Sequence, residues 1–432
     1  MNYSETINYL FNAAPLFQNV GGDAYKEGLS NTHILDAHFN HPHQRYKTIH
    51  IAGTNGKGSC AHTIAAMLQH HGLRVGLYTS PHLVDFRERI RIDGKPIFEK
   101  YVVDFVENER HFFEPLHPSF FELTTAMALK YFADEKVDVA VIEVGLGGRL
   151  DCTNIITPEL SIITNISFDH TQFLGNTLAK IANEKAGIIK PNVPVVIGEA
   201  NKETRPVFEK KAAEVGSPIV FAEDMNEVTD SFLQNDGFRH YETVHYGELV
   251  GELSGDCQTK NTNTLLHAVP FLKETLGITQ KDVRYAFKHV SETTGLKGRW
   301  EILQDNPRVV CDTGHNVGGW QYLAQQLKNI AAQAHLHIVF GMAADKDIDE
   351  VMSLLPKNAV YYWTRASVHR ALSDKEVEKL GEKHHLHGTH YDNVPAAYEA
   401  AKANAQNNDT IFVGGSSFVV ADLLSYQNEN QK

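Results

Sequence analysis

Hydrophobic positions along this chain fall in short unbroken runs. The clearest are TIHIAG (48–53), LRVGLYTS (73–80), VDVAVIEVG (137–145), ELSIITNI (159–166) and VPVVIG (193–198). Runs rich in Val and Ile that do not alternate with polar residues predict parallel strands buried on both faces. Between them the spacing changes to that of helices. Over 57–71 it puts Ile64, Met67 and Leu68 on one side of a helix, with Gly72 as the stop. Strand, helix and strand in repeated order predict a doubly wound α/β sheet.

The texture changes from 217 to 254, where GFRHYETVHYGELVGEL alternates and carries turn residues, as antiparallel strands do. A helix is predicted over 262–276, followed by SETTGLKGRW (291–300), polar and glycine-containing, a linker. The α/β texture then restarts with RVVCDTG (308–314), HLHIVFGM (335–342), AVYYWTRA (359–366) and TIFVGGS (410–416). These changes divide the chain into domains 1–295 and 296–432.

Composition adds bounds. With 432 residues, 42% hydrophobic and 22% charged, the chain is globular and longer than one core usually supports. A formal net charge of -13 argues against nucleic acid as partner, although an acidic surface can hold a local basic pocket for a small anion. The start, MNYSETINYLFNAAPLF, has neither the basic region nor the apolar run of a signal peptide, and no stretch is apolar enough to span a membrane. Cys60, Cys152, Cys257 and Cys311 are far apart, which predicts reduced thiols and a cytoplasmic protein. The histidine-dense EKHHLHGTH (382–390) reads as a solvated turn in preference to a metal site.

The chemistry gathers at the end of the first strand. Gly53, Thr54, Asn55, Gly56, Lys57, Gly58 and Ser59 form a glycine-rich turn that opens a helix. Such a turn lets backbone N–H groups converge on phosphate, and the helix terminus adds positive charge. Lys57 supplies a full charge near the terminal phosphates. The commonest loop of this kind has Ser or Thr directly after its Lys; here Gly58 intervenes before Ser59. A Mg²⁺ ion accompanying the nucleotide would then find protein oxygens elsewhere. Glu143 and Ser80 end two apolar runs and point to the crevice where α/β proteins bind ligands. His170, in NISFDHTQ, is a weaker candidate, because His is a minority ligand for Mg²⁺ and is more often a core residue.

Beyond the loop, the segments TSPHL, ERI, SFFE, EVGLGGRLDCTN, DHTQFLG, NEKAGIIK and DTGHN follow GTNGKGS in this order. Together they resemble the folylpolyglutamate synthase/dihydrofolate synthase branch of the Mur ligase superfamily, from about residue 25 to the last strand. The resemblance implies a P-loop three-layer N-terminal ATPase domain that also binds folate, and a smaller Rossmann-like C-terminal glutamate ligase domain. It implies an ADP-forming acid–amino-acid ligase of folate biosynthesis and one-carbon metabolism, using ATP and Mg²⁺ to join L-glutamate to dihydropteroate or a tetrahydrofolate through an acyl phosphate. It puts Mg²⁺ on Ser80, Glu143 and His170. It matches Lys185 to a lysine that the family carries as a carbamate, where the residues alone suggest a charge on a helix surface. Asn261 and Arg299 would contact ATP and Asp312 its ribose, with Asn263 close enough to Asn261 to confuse the register. His315 would lie near the reacting centre. Phe120, Phe121, Glu122, Arg149, Asp151 and Ser416 would border the substrates. Val317 departs from the family, which more often has Pro there, and this puts the local turn in doubt.

The expected partners are these small molecules alone, with the chain acting as a monomer and touching neither nucleic acid nor membrane. Two rival readings are another Mur-type amino-acid ligase and a P-loop nucleotide switch. Gly58 speaks against the first. Asn201-Lys202-Glu203-Thr204 lacks the Asp that a guanine reader needs, which speaks against the second.

Overall fold

A computed structural model describes residues 1–13, 28–234 and 236–430. The chain forms two compact units, Met1–Glu252 with Gln258–Leu296, and Leu253–Cys257 with Lys297–Lys432.

The first unit is built on eight strands: β1 (Lys47–Ala52), β2 (Val75–Tyr78), β3 (Ile90–Ile92), β4 (Lys95–Pro96), β5 (Val139–Glu143), β6 (Leu160–Ile163), β7 (Val195–Ile197) and β8 (Ile219–Phe221). Their order across the sheet is β4-β3-β2-β5-β1-β6-β7-β8. The strands from β2 to β8 in this order run parallel, and the edge pair β3 and β4 is antiparallel. Both faces are covered, which is why the runs read as continuous. In β5, Val139 and Val141 enter one core while Ala140 and Ile142 enter another. The connection leaving β1 returns to β2 on one side, and that leaving β6 goes to β7 on the other. The order therefore reverses between β1 and β6, and the ends of those strands open a crevice. A separate antiparallel sheet joins β9 (Val228–Leu233), β10 (Arg239–Thr243) and β11 (Leu249–Gly251).

The second unit carries β12 (Glu301–Asp305), β13 (Arg308–Asp312), β14 (Leu336–Phe340), β15 (Val360–Thr364), β16 (Gly388–Tyr391) and β17 (Thr410–Gly414), in the order β12-β13-β17-β14-β15-β16. Only β12 is antiparallel. Its core centres on Trp320, Phe340, Trp363 and Phe412.

Four sequence expectations need correction. The helix Lys57–His70 is not one-sided: every residue from Gly58 to Leu68 is buried, because the helices Gln258–Leu276, Gln280–Lys288 and Val290–Thr294 also pack on it. The helix expected at 262 begins at Gln258. The supposed linker contains the helical turn Val290–Thr294, closed by left-handed Gly295. Strand β2 ends at Tyr78, so Ser80 lies two residues beyond the tip. In the 382–390 segment, His384 Nε2 lies 2.8 Å from an Asp349 oxygen, and among the described residues no histidine–carboxylate–thiol group is arranged to hold a metal.

Candidate active site

The loop after β1 owes its shape to two glycines. Gly53 has φ +145, and a Cβ there would sit 1.8 Å from Thr164 Oγ1; Gly56 has φ +85, and a Cβ there would sit 2.3 Å from Asn261 Oδ1. Only glycine accepts both the dihedral and the contact. The loop is tied to the segment after β6. Thr54 N–H donates to the Asn165 carbonyl (2.9 Å) and Asn55 N–H to Asn165 Oδ1 (3.0 Å), while Thr164 Oγ1 donates to the Asn55 carbonyl (2.6 Å). The amides of Thr54 and Asn55 therefore hold the loop together and are not part of an anion cradle. The cradle falls to the first turn of the helix, from Lys57 onward, whose N–H groups have no carbonyl within the helix. Ser59 is buried, and its hydroxyl accepts from Gln258 Nε2 at 3.3 Å.

Two ammonium groups converge on one carbonyl. Lys57 Nζ donates to the oxygens of Gly53 (3.0 Å) and Thr54 (3.1 Å), and Lys185 Nζ donates to the same Gly53 oxygen (2.9 Å). Lys185 is only 4% exposed, which overturns its reading as a surface charge. Burial pushes its pKa down to about 7; Lys57 adds to the effect, and Asp169 and Asp151 oppose it. A half-buried and a buried lysine paired at a helix N-terminus constitute a sink for anionic charge.

Glu143 ends β5 beside this loop, with its residue in register with Ile51 of β1. It is 4% exposed, and its Oε2 accepts the N–H of Ser80 at 3.2 Å. A buried carboxylate beside a serine is the small hard-oxygen set that Mg²⁺ takes from protein when phosphate and water complete its shell. The residues present therefore fit the ion. His170 stands apart from this pair in chemistry: it begins the short helix Thr171–Leu174 with φ +49, and its N–H donates to Asp169 Oδ1 at 2.9 Å.

In the second unit Asp312 ends β13 with both carboxylate oxygens engaged. Oδ2 accepts from Trp300 N–H and Oδ1 from Gly314 N–H, each at 2.8 Å. Burial pushes its pKa up, while Arg299 and these amides pull the other way. His315 Nδ1 lies 3.1 Å from the Thr313 carbonyl. A carbonyl only accepts, so in the neutral ring Nδ1 carries the hydrogen and Nε2 the lone pair. Ser416 follows β17, the neighbour of β13, and its Oγ accepts from Val419 N–H at 3.2 Å.

Family models match in the same order: a Mur ligase middle domain over residues 51–246 and a Mur ligase glutamate ligase domain over 298–417. The chain is 31% identical over 420 residues to a dihydrofolate synthase/folylpolyglutamate synthase of Bacillus subtilis, covering 92% of this chain and 94% of the relative. The chain belongs to the folylpolyglutamate synthase/dihydrofolate synthase family of Mur ligases. It is also 33% identical to a probable bifunctional folylpolyglutamate synthase/dihydropteroate synthase of Haloferax volcanii; that match covers 98% of this chain but spans half the length of the relative. Among solved structures it is similar to Escherichia coli FolC in complex with DHPP and ADP, with TM-score 0.85, 27% identity and coverage of 100% and 99% of the two chains. It is also similar to a bifunctional synthase of Yersinia pestis complexed with AMPPNP and Mn ion, with TM-score 0.83, 27% identity and coverage of 99% and 98%.

Within this Mur ligase, other expected site residues have structural work of their own. Phe120 is buried in the core under the Arg89 guanidinium, and Glu122 Oε2 caps its helix by accepting Ser119 N–H at 2.6 Å. Both side chains are buried, and Glu122 is the partner of Ser119 in the capping box of Phe120–Asp134. Phe121 lies against the backbone of Gly145. Arg149 is exposed and paired with Glu184 Oε1 at 3.0 Å. Asp151 is buried, with its pKa raised by burial, and organises the next turn through Leu146 N–H, Thr153 N–H and Thr153 Oγ1. Asn261 touches the loop at Gly56 and its Nδ2 donates to Gln258 Oε1. Asn263 is occupied by the Glu227 and Val228 amides and the Ala222 carbonyl. The turn at Val317 is regular: Asn316 caps the helix Val317–Ala331 by accepting Gly319 N–H, with Val317 in the first helical position. Thr164, Asn165, Ser167 and Gln258, which brace the loop, were not singled out by sequence; their position just past a strand or opening a helix was the available signal.

Proposed function

We propose that this chain is an ATP-dependent, ADP-forming ligase that joins L-glutamate to a folate-type carboxylate, either dihydropteroate or a tetrahydrofolate. The observation that carries this reading is the Lys57–Gly53–Lys185 cluster at the reversal between β1 and β6, in a chain of this family. ATP supplies the phosphoryl group that turns the acceptor carboxylate into an acyl phosphate with a good leaving group, and Mg²⁺ neutralises phosphate charge.

The residues then have distinct tasks. Lys57 and the first-turn amides orient the terminal phosphates and stabilise charge as it moves toward the leaving oxygen. Glu143 and Ser80 would hold the ion, with His170 as a further ligand. Asn261 and Arg299 contact the nucleotide and Asp312 its ribose. Phe121, Arg149, Asp151 and Ser416 border the acceptor and glutamate. The glutamate amine must lose a proton to attack the acyl phosphate, and Nε2 of His315 is the group we assign to take it. Lys185, with its lowered pKa, has a sizeable neutral fraction near pH 7. A neutral amine adds CO₂ and releases a proton to give a carbamate anion, so Lys185 is suited to this modification. We assign the chain to the cytoplasm as a monomer; among the described residues no helix is long and apolar enough to cross a membrane.

The test is ADP release with ATP, Mg²⁺ and L-glutamate, followed by product mass, using dihydropteroate and tetrahydrofolate separately. Each productive acceptor is expected to gain one glutamyl residue. ADP release only with a cell-wall precursor would refute the folate assignment.

A further inference from the structure

The loop after β6 holds an aromatic ring out toward solvent. Phe168 is 54% exposed, although a large apolar side chain gains free energy by burial. Its backbone is not loose. Ser167 N–H donates to Thr54 Oγ1 (3.0 Å), Thr54 Oγ1 reaches the Ser167 carbonyl (3.2 Å), and Asn55 Nδ2 donates to Ser167 Oγ (3.3 Å). On the other side, His170 N–H is held by Asp169, and Asp169 is within electrostatic reach of Lys185. The ring is thus carried one residue away from the wall of the phosphate loop, on a segment tied to that wall at Ser167.

We propose that Phe168 is the platform for the benzoyl ring of the acceptor, and that it favours the unglutamylated acceptor. This rests on the folate-ligase reading above. In dihydropteroate the carboxylate that receives the phosphoryl group is bonded directly to the benzene ring. In a tetrahydrofolate a glutamyl unit stands between them and moves the ring several bonds away. Both acceptors must bring their reacting carboxylate to the same phosphate. Only the shorter one then brings its ring beside the phosphate loop, where Phe168 stands. Two aromatic faces that stack while losing water contribute up to about tenfold in binding.

Steady-state kinetics of the wild type, Phe168→Ala and Phe168→Tyr with each acceptor, at saturating ATP and glutamate, test the inference. Phe168→Ala is expected to raise KM for dihydropteroate about tenfold, with kcat and the KM values for tetrahydrofolate and ATP unchanged. Phe168→Tyr, which keeps the ring face, is expected to behave as wild type. Phe168→Leu keeps apolar bulk without a ring face; it is expected to raise the same KM, and it gives the comparison if the alanine variant folds poorly. Equal KM shifts for both acceptors, a shift confined to ATP, or a wild type that glutamylates tetrahydrofolate but refuses dihydropteroate would each overturn the platform while leaving the ligase reading intact. A wild type that releases no ADP with either acceptor would instead remove the ligase reading.

Discussion

The strand ends of the two sheets carry charged residues of opposite sign in opposite electrostatic conditions. At the end of β1, two lysines share a single carbonyl, and burial depresses the pKa of one of them. At the end of β13, Asp312 is buried too, but each of its oxygens is met by a backbone N–H. The first arrangement keeps charge in excess of what the protein itself satisfies. The second resembles a well-made turn. Buried charge is costly unless paired, so excess charge marks where an external anion completes the site, and satisfied charge marks where the chain holds its own shape.

This contrast can be broken most sharply at Lys57. Lys57→Ala is expected to lower kcat by about a thousandfold, the scale of losing one preorganised charge donor. Its thermal unfolding is expected to be unimpaired, because a like charge beside Lys185 has been removed. Single-turnover ADP formation and a melting curve check both halves, and wild-type turnover would sink the loop assignment. Next in size is Glu143→Gln, which keeps an acceptor for Ser80 N–H but loses the charge. A drop in activity of about a hundredfold is expected at limiting Mg²⁺, partly recovered as Mg²⁺ is raised. An unchanged Mg²⁺ titration would exclude Glu143 as a ligand.

The second unit predicts the reverse pattern. Asp312→Ala strands the Trp300 and Gly314 amides, and is expected to destabilise this unit by about 2 kcal/mol, read by denaturant unfolding. An unaltered midpoint would show that the two sites do not differ as argued. A further test concerns pH. Lys185 binds its proton less tightly in the folded chain than at its ordinary value of 10.5, so the unfolded chain holds more protons between pH 7 and 10.5. Stability of the ligand-free protein in CO₂-free buffer should therefore rise across that window, by at most about 1.4 kcal/mol per pH unit, and this group should contribute no slope below pH 7. Lys185→Met is expected to flatten the rise. The same slope in both proteins would assign it to another group.

The α/β class and the positions of its parallel strands were legible because strands buried on both faces cannot avoid continuous apolar runs. The phosphate loop was legible because Gly53 and Gly56 each occupy a backbone conformation and a contact that other residues refuse. What could not be read was which polar residues face the loop and which support it. Glu122 and Asp151 look like free carboxylates in one dimension, yet one completes a capping box and the other organises a turn. Lys185 looks like a surface charge, because nothing in NEKAGI reveals that its helix lies under the Gly53 carbonyl.

Sequence alone therefore determined the elements and the types of chemistry available, through local rules of burial period, capping and glycine geometry. Tertiary structure decided the pairings. Lys185 reaches Gly53 across a separation of 132 residues, Gln258 reaches Ser59 across 199, and Ser80 reaches Glu143 across 63. A side chain's protonation, hydrogen bonding and exposure depend on those distant partners, and no local pattern along the chain encodes them.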